Sequence, residues 1–275
     1  MTFAESAVLG IMQGLTEFLP VSSSGHLVLM QAFLGLTDPM VFFDVLLHVG
    51  TLAAIVLVYR KDIWTIVRQS IMAVAARGKN LNELPGAWFL LMIIAGSVPA
   101  GVIGILFENL FEELFASTFS VGFFLLITGV LLFSSRKAGT GVKTDAAISV
   151  KDALLIGFAQ AMAITPGISR SGATIAIALL LGVKRESAAK YSFLLSIPAI
   201  AGATLLKSRS ATVTLDEIPV FVVGMAVAFG VGAAALLWLI KLVKKGKLEY
   251  FAWYCWAVGS SVIAYRLYVM LGGNA

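Results

Sequence analysis

Gly10-Ile11-Met12-Gln13-Gly14-Leu15-Thr16-Glu17-Phe18-Leu19-Pro20-Val21-Ser22-Ser23-Ser24-Gly25-His26 is an apolar segment broken in its middle by a proline and a run of hydroxyls. The pattern returns 147 residues later as Gly157-x-x-Gln160, followed by Pro166-Gly167-Ile168-Ser169-Arg170-Ser171-Gly172-Ala173. In this register Gly10 falls on Gly157, Gln13 on Gln160, Ser22 on Ser169, Ser24 on Ser171 and Gly25 on Gly172. A duplicated apolar segment interrupted by Gly, Pro and Ser marks a buried polar site where half-helices end. The copies differ in chemistry: Glu17 and His26 occur only in the first, Arg170 only in the second. A symmetric pore does not need that difference.

The surroundings of the motifs are those of a membrane protein. Charged residues are 13% of 275 positions and hydrophobic ones 59%, with a mean hydropathy of +0.96. A soluble domain is about 25% charged, so this chain could not cover itself against water. The single Cys255 excludes an internal disulfide and reads as apolar filler. The first 20 residues lack a basic n-region and contain Glu5 and Glu17, so no cleavable signal peptide is expected. The net charge of +5 does not indicate nucleic-acid binding, because the basic residues lie in short loops between apolar runs.

Runs long enough to cross a bilayer are roughly 43–59, 86–107, 119–133, 191–206, 218–240 and 250–271, with 119–133 expected to extend at its edges. The stretches 5–36 and 153–182 are each interrupted by the repeated motif. Either could form two full spans, but arms of about 12–15 residues are short for that, which favours two re-entrant helical hairpins. Sixteen of the 20 Lys and Arg residues crowd the loops 60–79, 134–151, 184–190 and 241–248. Loop 108–118 instead carries Glu108, Glu112 and Glu113 and reads as a solvated outer loop. The positive-inside tendency assigns the basic loops to the cytoplasm, although Lys207 and Arg209 dissent. On that trace the hairpins open from opposite sides. The expected fold is therefore all-α and polytopic: one integral membrane domain over 1–275, with six full spans and two hairpins. An inverted-topology repeat relates about 1–135 to about 151–275.

Gln13 and Glu17 are four apart and share one helical face. A carboxylate inside a membrane segment is costly and usually has a partner; a divalent cation, His26 and Arg170 are the candidates here. Ser22, Ser23, Ser24 and Gly25 suit the start of a half-helix, whose free N–H groups favour an anion. A Ser near His26 is the pairing that activates a weak nucleophile, although serine-rich turns also serve as plain helix caps. At the second tip Arg170 can hold two phosphate oxygens at once, where a snorkelling arginine is the bland alternative. Asp44 and His48 suggest an intrahelical hydrogen-bonded pair. No Cys/His metal pattern and no Gly-rich nucleotide loop occurs. Two helix starts, several hydroxyls, an arginine and a carboxylate describe a diphosphate site in an apolar shell, which a polyprenyl diphosphate would match.

The stretch Gln13–His26 and the stretch Pro166–Thr174 closely resemble the two signature motifs of the bacterial undecaprenyl-diphosphatase family, also called bacitracin resistance proteins. The likeness extends to Phe43-Asp44-Val45, Tyr59-Arg60-Lys61-Asp62 and Tyr191-Ser192-Phe193-Leu194-Leu195. It implies a multi-pass enzyme of the bacterial plasma membrane with its site toward the periplasmic or outer face. Such an enzyme removes the terminal phosphate of undecaprenyl diphosphate to recycle the lipid carrier for peptidoglycan, and depends on Mg²⁺ or Ca²⁺. By the same resemblance Glu17 is the essential acid, Ser23 the nucleophile, His26 its proton partner and Arg170 the diphosphate clamp. Ser22, Ser24, Gly25, Ser169, Ser171, Gly172 and Thr174 line the substrate, and Gln13 and Glu17 hold the metal. The family's first acidic position is Gln13 in this chain, whose amide oxygen can ligate a metal but cannot act as a base. The implied partners are the lipid substrate and the bilayer, without nucleic acid, and the sequence leaves room for a homo-oligomer. The competing class is a transporter or flippase of a polyprenyl phosphate or small anion, since broken helices in inverted repeats also suit alternating access.

Overall fold

Within a bilayer a backbone must satisfy its own N–H and C=O groups, and each apolar run of this chain forms a helix. The computed structural model describes residues 1–36, 40–76, 83–208 and 214–272. Arg77, Lys79 and Arg209, used in the loop-charge argument, lie outside them. The described helices are α1 Phe3–Phe18, α2 Ser23–Phe33, α3 Val41–Val58, α4 Arg60–Ala75, α5 Pro85–Leu106 and α6 Glu108–Phe115. They continue with α7 Thr118–Ser134, α8 Val150–Met162, α9 Arg170–Leu180, α10 Arg185–Ser208, α11 Ile218–Lys244 and α12 Tyr250–Met270. Among the described residues no strand forms, only an isolated bridge between Lys143 and Val183.

Four of these helices, α5, α7, α10 and α11, are long and apolar enough to cross a membrane. A fifth span arises if α3 and α4 count as one, although they meet at a 77° bend. Helix α12 has the length, but its Tyr, Ser and Arg266 residues keep it out of that group. The arms of the two interrupted stretches are short: 16 and 11 residues for α1 and α2, 13 and 11 for α8 and α9.

Glycines let the hairpin arms sink against their neighbours. On α1, a Cβ added at Gly14 would lie 2.9 Å from the Ala228 carbonyl oxygen and 2.8 Å from Val231 Cβ of α11. On α8, Gly157 packs in the same manner on Gly96 of α5. Such small-residue contacts draw helices together where no hydrophobic gradient exists. Helix α7 packs on α12, α3 on both α10 and α11, and α10 on both α5 and α9. The largest buried cluster gathers Phe18, Ile156, Ile175, Phe193 and Leu236 around Tyr191, whose hydroxyl donates to the Met92 carbonyl at 2.6 Å.

Three expectations need correction. The basic stretch 60–79 is not merely a loop, because Arg60–Ala75 is helical. Its apolar residues Trp64, Val67, Ile71 and Val74 recur every three or four positions as an exposed stripe, masked in the sequence by Arg60, Lys61 and Arg68. The acidic stretch 108–118 also contains a helix, since Phe111, Leu114 and Phe115 recur at helical spacing between the glutamates. The run beginning at 191 starts six residues earlier, at Arg185, so Lys190 lies within a helix rather than in a connecting loop. Cys255 is buried and free, as expected.

Candidate active site

Each broken helix ends where its sequence supplies a breaker and resumes where it supplies a cap. Helix α1 stops at Phe18 before Pro20, and Ser22 then caps α2 by accepting the Gly25 N–H at 3.3 Å. Ser22 has φ of 70°, alone among the described non-glycine residues in being positive. Such strain persists only where the surroundings enforce it, and it concentrates at functional turns. The second break uses Gly167 at φ +100° and Ser169, which caps α9 by accepting the Gly172 N–H at 3.1 Å.

The two tips touch. The Gly167 N–H donates to Ser22 Oγ at 3.1 Å, and a Cβ on Gly25 would stand 3.2 Å from Gly167 Cα. Ser171 Oγ reaches the Leu19 carbonyl at 3.5 Å, while the Ser22 and Ser24 hydroxyls lie 3.4 Å apart. Thr128 of α7 locks the second tip. Its hydroxyl donates to the Gly167 carbonyl at 2.8 Å and accepts the Ser169 N–H at 3.0 Å. Thr128→Val keeps the shape but leaves both backbone groups buried and unpaired, at about 1–3 kcal/mol each. The melting temperature and the activity should both fall, whereas Thr128→Ser should retain most of each. A valine variant that matches the parent in both measurements would remove this role from Thr128.

At the junction stands Glu17, 6% exposed and the last residue but one of α1. Its Oε1 forms an ion pair with Arg170 Nη2, the first residue of α9. Its Oε2 accepts from Ser23 Oγ at 2.6 Å and from Gln13 Nε2 at 3.0 Å, with His48 Nε2 at 3.6 Å. Two buried polar atoms here have no partner among the described residues: Arg170 Nη1 and Gln13 Oε1. Buried groups are almost always paired, so such orphans call for a missing ligand. One is a cationic donor and the other an oxygen acceptor, which suits a phosphate and a cation respectively.

Gln13, Glu17, Ser23 and Arg170 therefore converge, with Ser22, Ser24, Gly25, Ser169, Ser171 and Gly172 forming the tips around them. Two residues expected to face the same point lie next to these tips but turn their side chains to other partners. His26 is not hydrogen-bonded to Ser23: its Nδ1–H donates to the Ser22 carbonyl at 2.8 Å, and Nε2 meets the Tyr254 hydroxyl at 2.8 Å. Its ring also stacks on Tyr254 with centroids 5.7 Å apart. Thr174 lies one turn inside α9, bonded to the Arg170 carbonyl at 2.7 Å and to Ser192 Oγ at 2.5 Å.

Asp44 and His48 are the intrahelical hydrogen-bonded pair that their spacing suggested, joined through the Asp44 backbone rather than its carboxylate. The Asp44 carboxylate accepts from Gln31 at 2.7 Å, and His48 Nδ1–H donates to the Asp44 backbone carbonyl at 2.7 Å. A carbonyl only accepts, so Nδ1 carries the hydrogen and Nε2 is turned toward Glu17. Thr128 and Tyr254 are thus the neighbours that sequence reasoning missed, whereas His48, singled out there with Asp44, stands beside the Glu17 carboxylate.

Among the described residues no three His, Cys, Asp or Glu side chains cluster to hold a metal. Gln13 and Glu17 nonetheless offer oxygen donors, one of them orphaned. Mg²⁺ commonly takes one or two carboxylates and completes its shell from phosphate oxygens and water. The donor set fits a cation bound in that way.

Comparison with known proteins places the whole chain in one family. The family model described as bacitracin resistance protein BacA matches residues 6–261. An undecaprenyl-diphosphatase of Desulforapulum autotrophicum is 46% identical over 274 residues, covering 96% of this chain and 99% of its own. That of Desulfatibacillum aliphaticivorans is 44% identical over 271 residues, covering 96% and 98%, and that of Alkaliphilus metalliredigens is 42% identical over 275, covering 97% and 100%.

Proposed function

The chain belongs to the bacitracin resistance protein family, and from that membership together with its site we infer that it is an undecaprenyl-diphosphatase. It is a membrane hydrolase that splits the diphosphate anhydride of undecaprenyl diphosphate, giving undecaprenyl phosphate and inorganic phosphate. The observation that carries the reading is the Glu17–Arg170 pair with Ser23 on the same carboxylate.

The mechanism follows from what each group can do where it stands. Arg170, with its unpartnered Nη1, takes oxygens of the terminal phosphate, helped by the free N–H groups at the starts of α2 and α9. Ser23 Oγ gives its proton to Glu17 and attacks the terminal phosphorus, and the bond to the bridging oxygen breaks as undecaprenyl phosphate leaves. Water then hydrolyses the phosphoserine and frees phosphate. Glu17 rather than His26 is at hydrogen-bond distance of Ser23, which supports the carboxylate as the base. His26 instead holds the start of α2 against Tyr254. Gln13 and Glu17 would hold a Mg²⁺ or Ca²⁺ ion, whose charge, when it is bound, offsets that of the diphosphate.

We extend the proposal to architecture: six spans and two hairpins in an inverted repeat. Supporting it, the packings pair off between the halves. The contact of α1 with α11 matches that of α8 with α5, and α3 with α11 matches α10 with α5. The α7–α12 and α3–α10 contacts map onto themselves, as elements on a pseudo-twofold axis should. The basic loops favour a plasma-membrane orientation with the first hairpin open to the outer face.

Purified protein in neutral detergent, which has no two compartments, should release inorganic phosphate from undecaprenyl diphosphate, and a chelator should suppress the release. Folded protein that binds the lipid and releases none would favour the transporter reading.

A further inference from the structure

Helices α1 and α3 meet because glycines dock both of them on α11. On α1, Gly10 and Gly14 lie against the Gly224 and Ala228 carbonyls, and on α3, Gly50 leaves no room for a Cβ beside the Met225 carbonyl. Leu47 and Thr51 of α3 are fully buried, and the Thr51 hydroxyl donates to the His48 carbonyl at 3.0 Å. This packing sets His48 of α3 beside Glu17 of α1.

The two side chains meet without a hydrogen bond. His48 Nδ1–H is committed to the Asp44 carbonyl at 2.7 Å, which leaves Nε2 of the neutral ring as a lone pair. That lone pair faces Glu17 Oε2 at 3.6 Å, and a carboxylate oxygen is an acceptor too. The separation is too long for a hydrogen bond, and an imidazolium would draw the carboxylate in to about 2.7–2.9 Å. Two ligand atoms on one metal ion, each about 2.0–2.2 Å from it, stand roughly 3.0–3.6 Å apart. The observed distance lies at the upper edge of that range.

Two further observations point to a cation. Gln13 Oε1 is buried without a partner among the described residues, while its amide nitrogen donates to the same Glu17 Oε2 at 3.0 Å. A histidine that holds a metal almost always donates its other ring N–H to a carboxylate, a backbone carbonyl or water, and His48 does so. The ring is 28% exposed against 5% for the Glu17 side chain, so it can be reached from outside the buried junction. Resting on the cation reading of Gln13 and Glu17 above, we propose that His48 Nε2 is a third ligand of the divalent ion. It adds a nitrogen to a set of oxygens. Imidazole suits transition ions, whereas Mg²⁺ and Ca²⁺ prefer oxygen. The site therefore favours Mn²⁺ over Ca²⁺ more strongly than its oxygen ligands alone would.

Mn²⁺ is the probe, because its electron paramagnetic resonance reports both binding and nitrogen ligation. Full-length protein in neutral detergent, freed of any polyhistidine tag, is titrated with Mn²⁺ alone and with added inorganic phosphate. The free-ion signal should fall as the ion binds, and the pulsed spectrum should show a coupled nitrogen that responds to isotopic labelling of histidine. The chain has two histidines, His26 and His48, so two variants identify the source. The coupling should persist in His26→Gln and vanish in His48→Gln. Mn²⁺ affinity should fall by about tenfold or more in His48→Gln, since even an outer partner of a metal ligand is worth that much. Competition with Ca²⁺ should show the preference for Mn²⁺ shrinking in the same variant. Bound Mn²⁺ without histidine coupling in the parent, or a coupling that survives in His48→Gln, would overturn the role of His48 and leave the cation site of Gln13 and Glu17 standing. No bound Mn²⁺ in either condition would overturn both.

Discussion

Glu17→Gln should lower kcat by about 10²–10⁴-fold, the range typical of a lost general base. The amide keeps the shape and can still accept from Ser23, but it cannot take the Ser23 proton. It also leaves the Arg170 guanidinium buried without its counter-charge, and breaking a buried pair costs about 3–5 kcal/mol. The melting temperature should therefore fall with the activity. Ser23→Ala separates the two effects. It removes the attacking oxygen yet spares the ion pair, so it should match the kcat loss while melting near the parental temperature. A Ser23→Ala enzyme with near-parental turnover would refute the serine route and direct attention to water or His26.

Arg170→Ala should reduce kcat/KM more than tenfold, equivalent to about 1.4 kcal/mol or more of lost transition-state stabilisation. Its Nη1 is buried and unpartnered while Nη2 is committed to Glu17, so substrate meets a donor already in place. Arg170→Lys should recover only part of the loss, because an ammonium lacks the planar fork that grips two oxygens. Kinetics of both variants over a range of lipid concentrations check this. If lysine restored full activity, charge alone would be the requirement and the clamp would be wrong.

Much of the junction was legible from residue types. Pro20 and Pro166-Gly167 end helices by their backbone chemistry, Ser22 and Ser169 restart them, and a lone carboxylate and a lone guanidinium in apolar hairpins had to find each other. What stayed hidden was direction and distance. His26 is three residues from Ser23, a spacing compatible with contact, but its ring turns to Tyr254, 228 positions away. Thr128 looks like one more residue of an apolar run until α7 is seen to pass beneath Gly167. Helices α4 and α6 were obscured because charged residues interrupt their apolar stripes, and loop-like composition outweighed periodicity.

The double-mutant cycle in kcat/KM for Glu17→Gln and Arg170→Gln measures whether the two broken helices act as a single site. Groups in direct contact are expected to couple by about 0.5–3 kcal/mol, so the double variant should be little worse than the poorer single one. Losses that simply multiply would mean that Glu17 and Arg170 work independently, and the shared site described above would not exist.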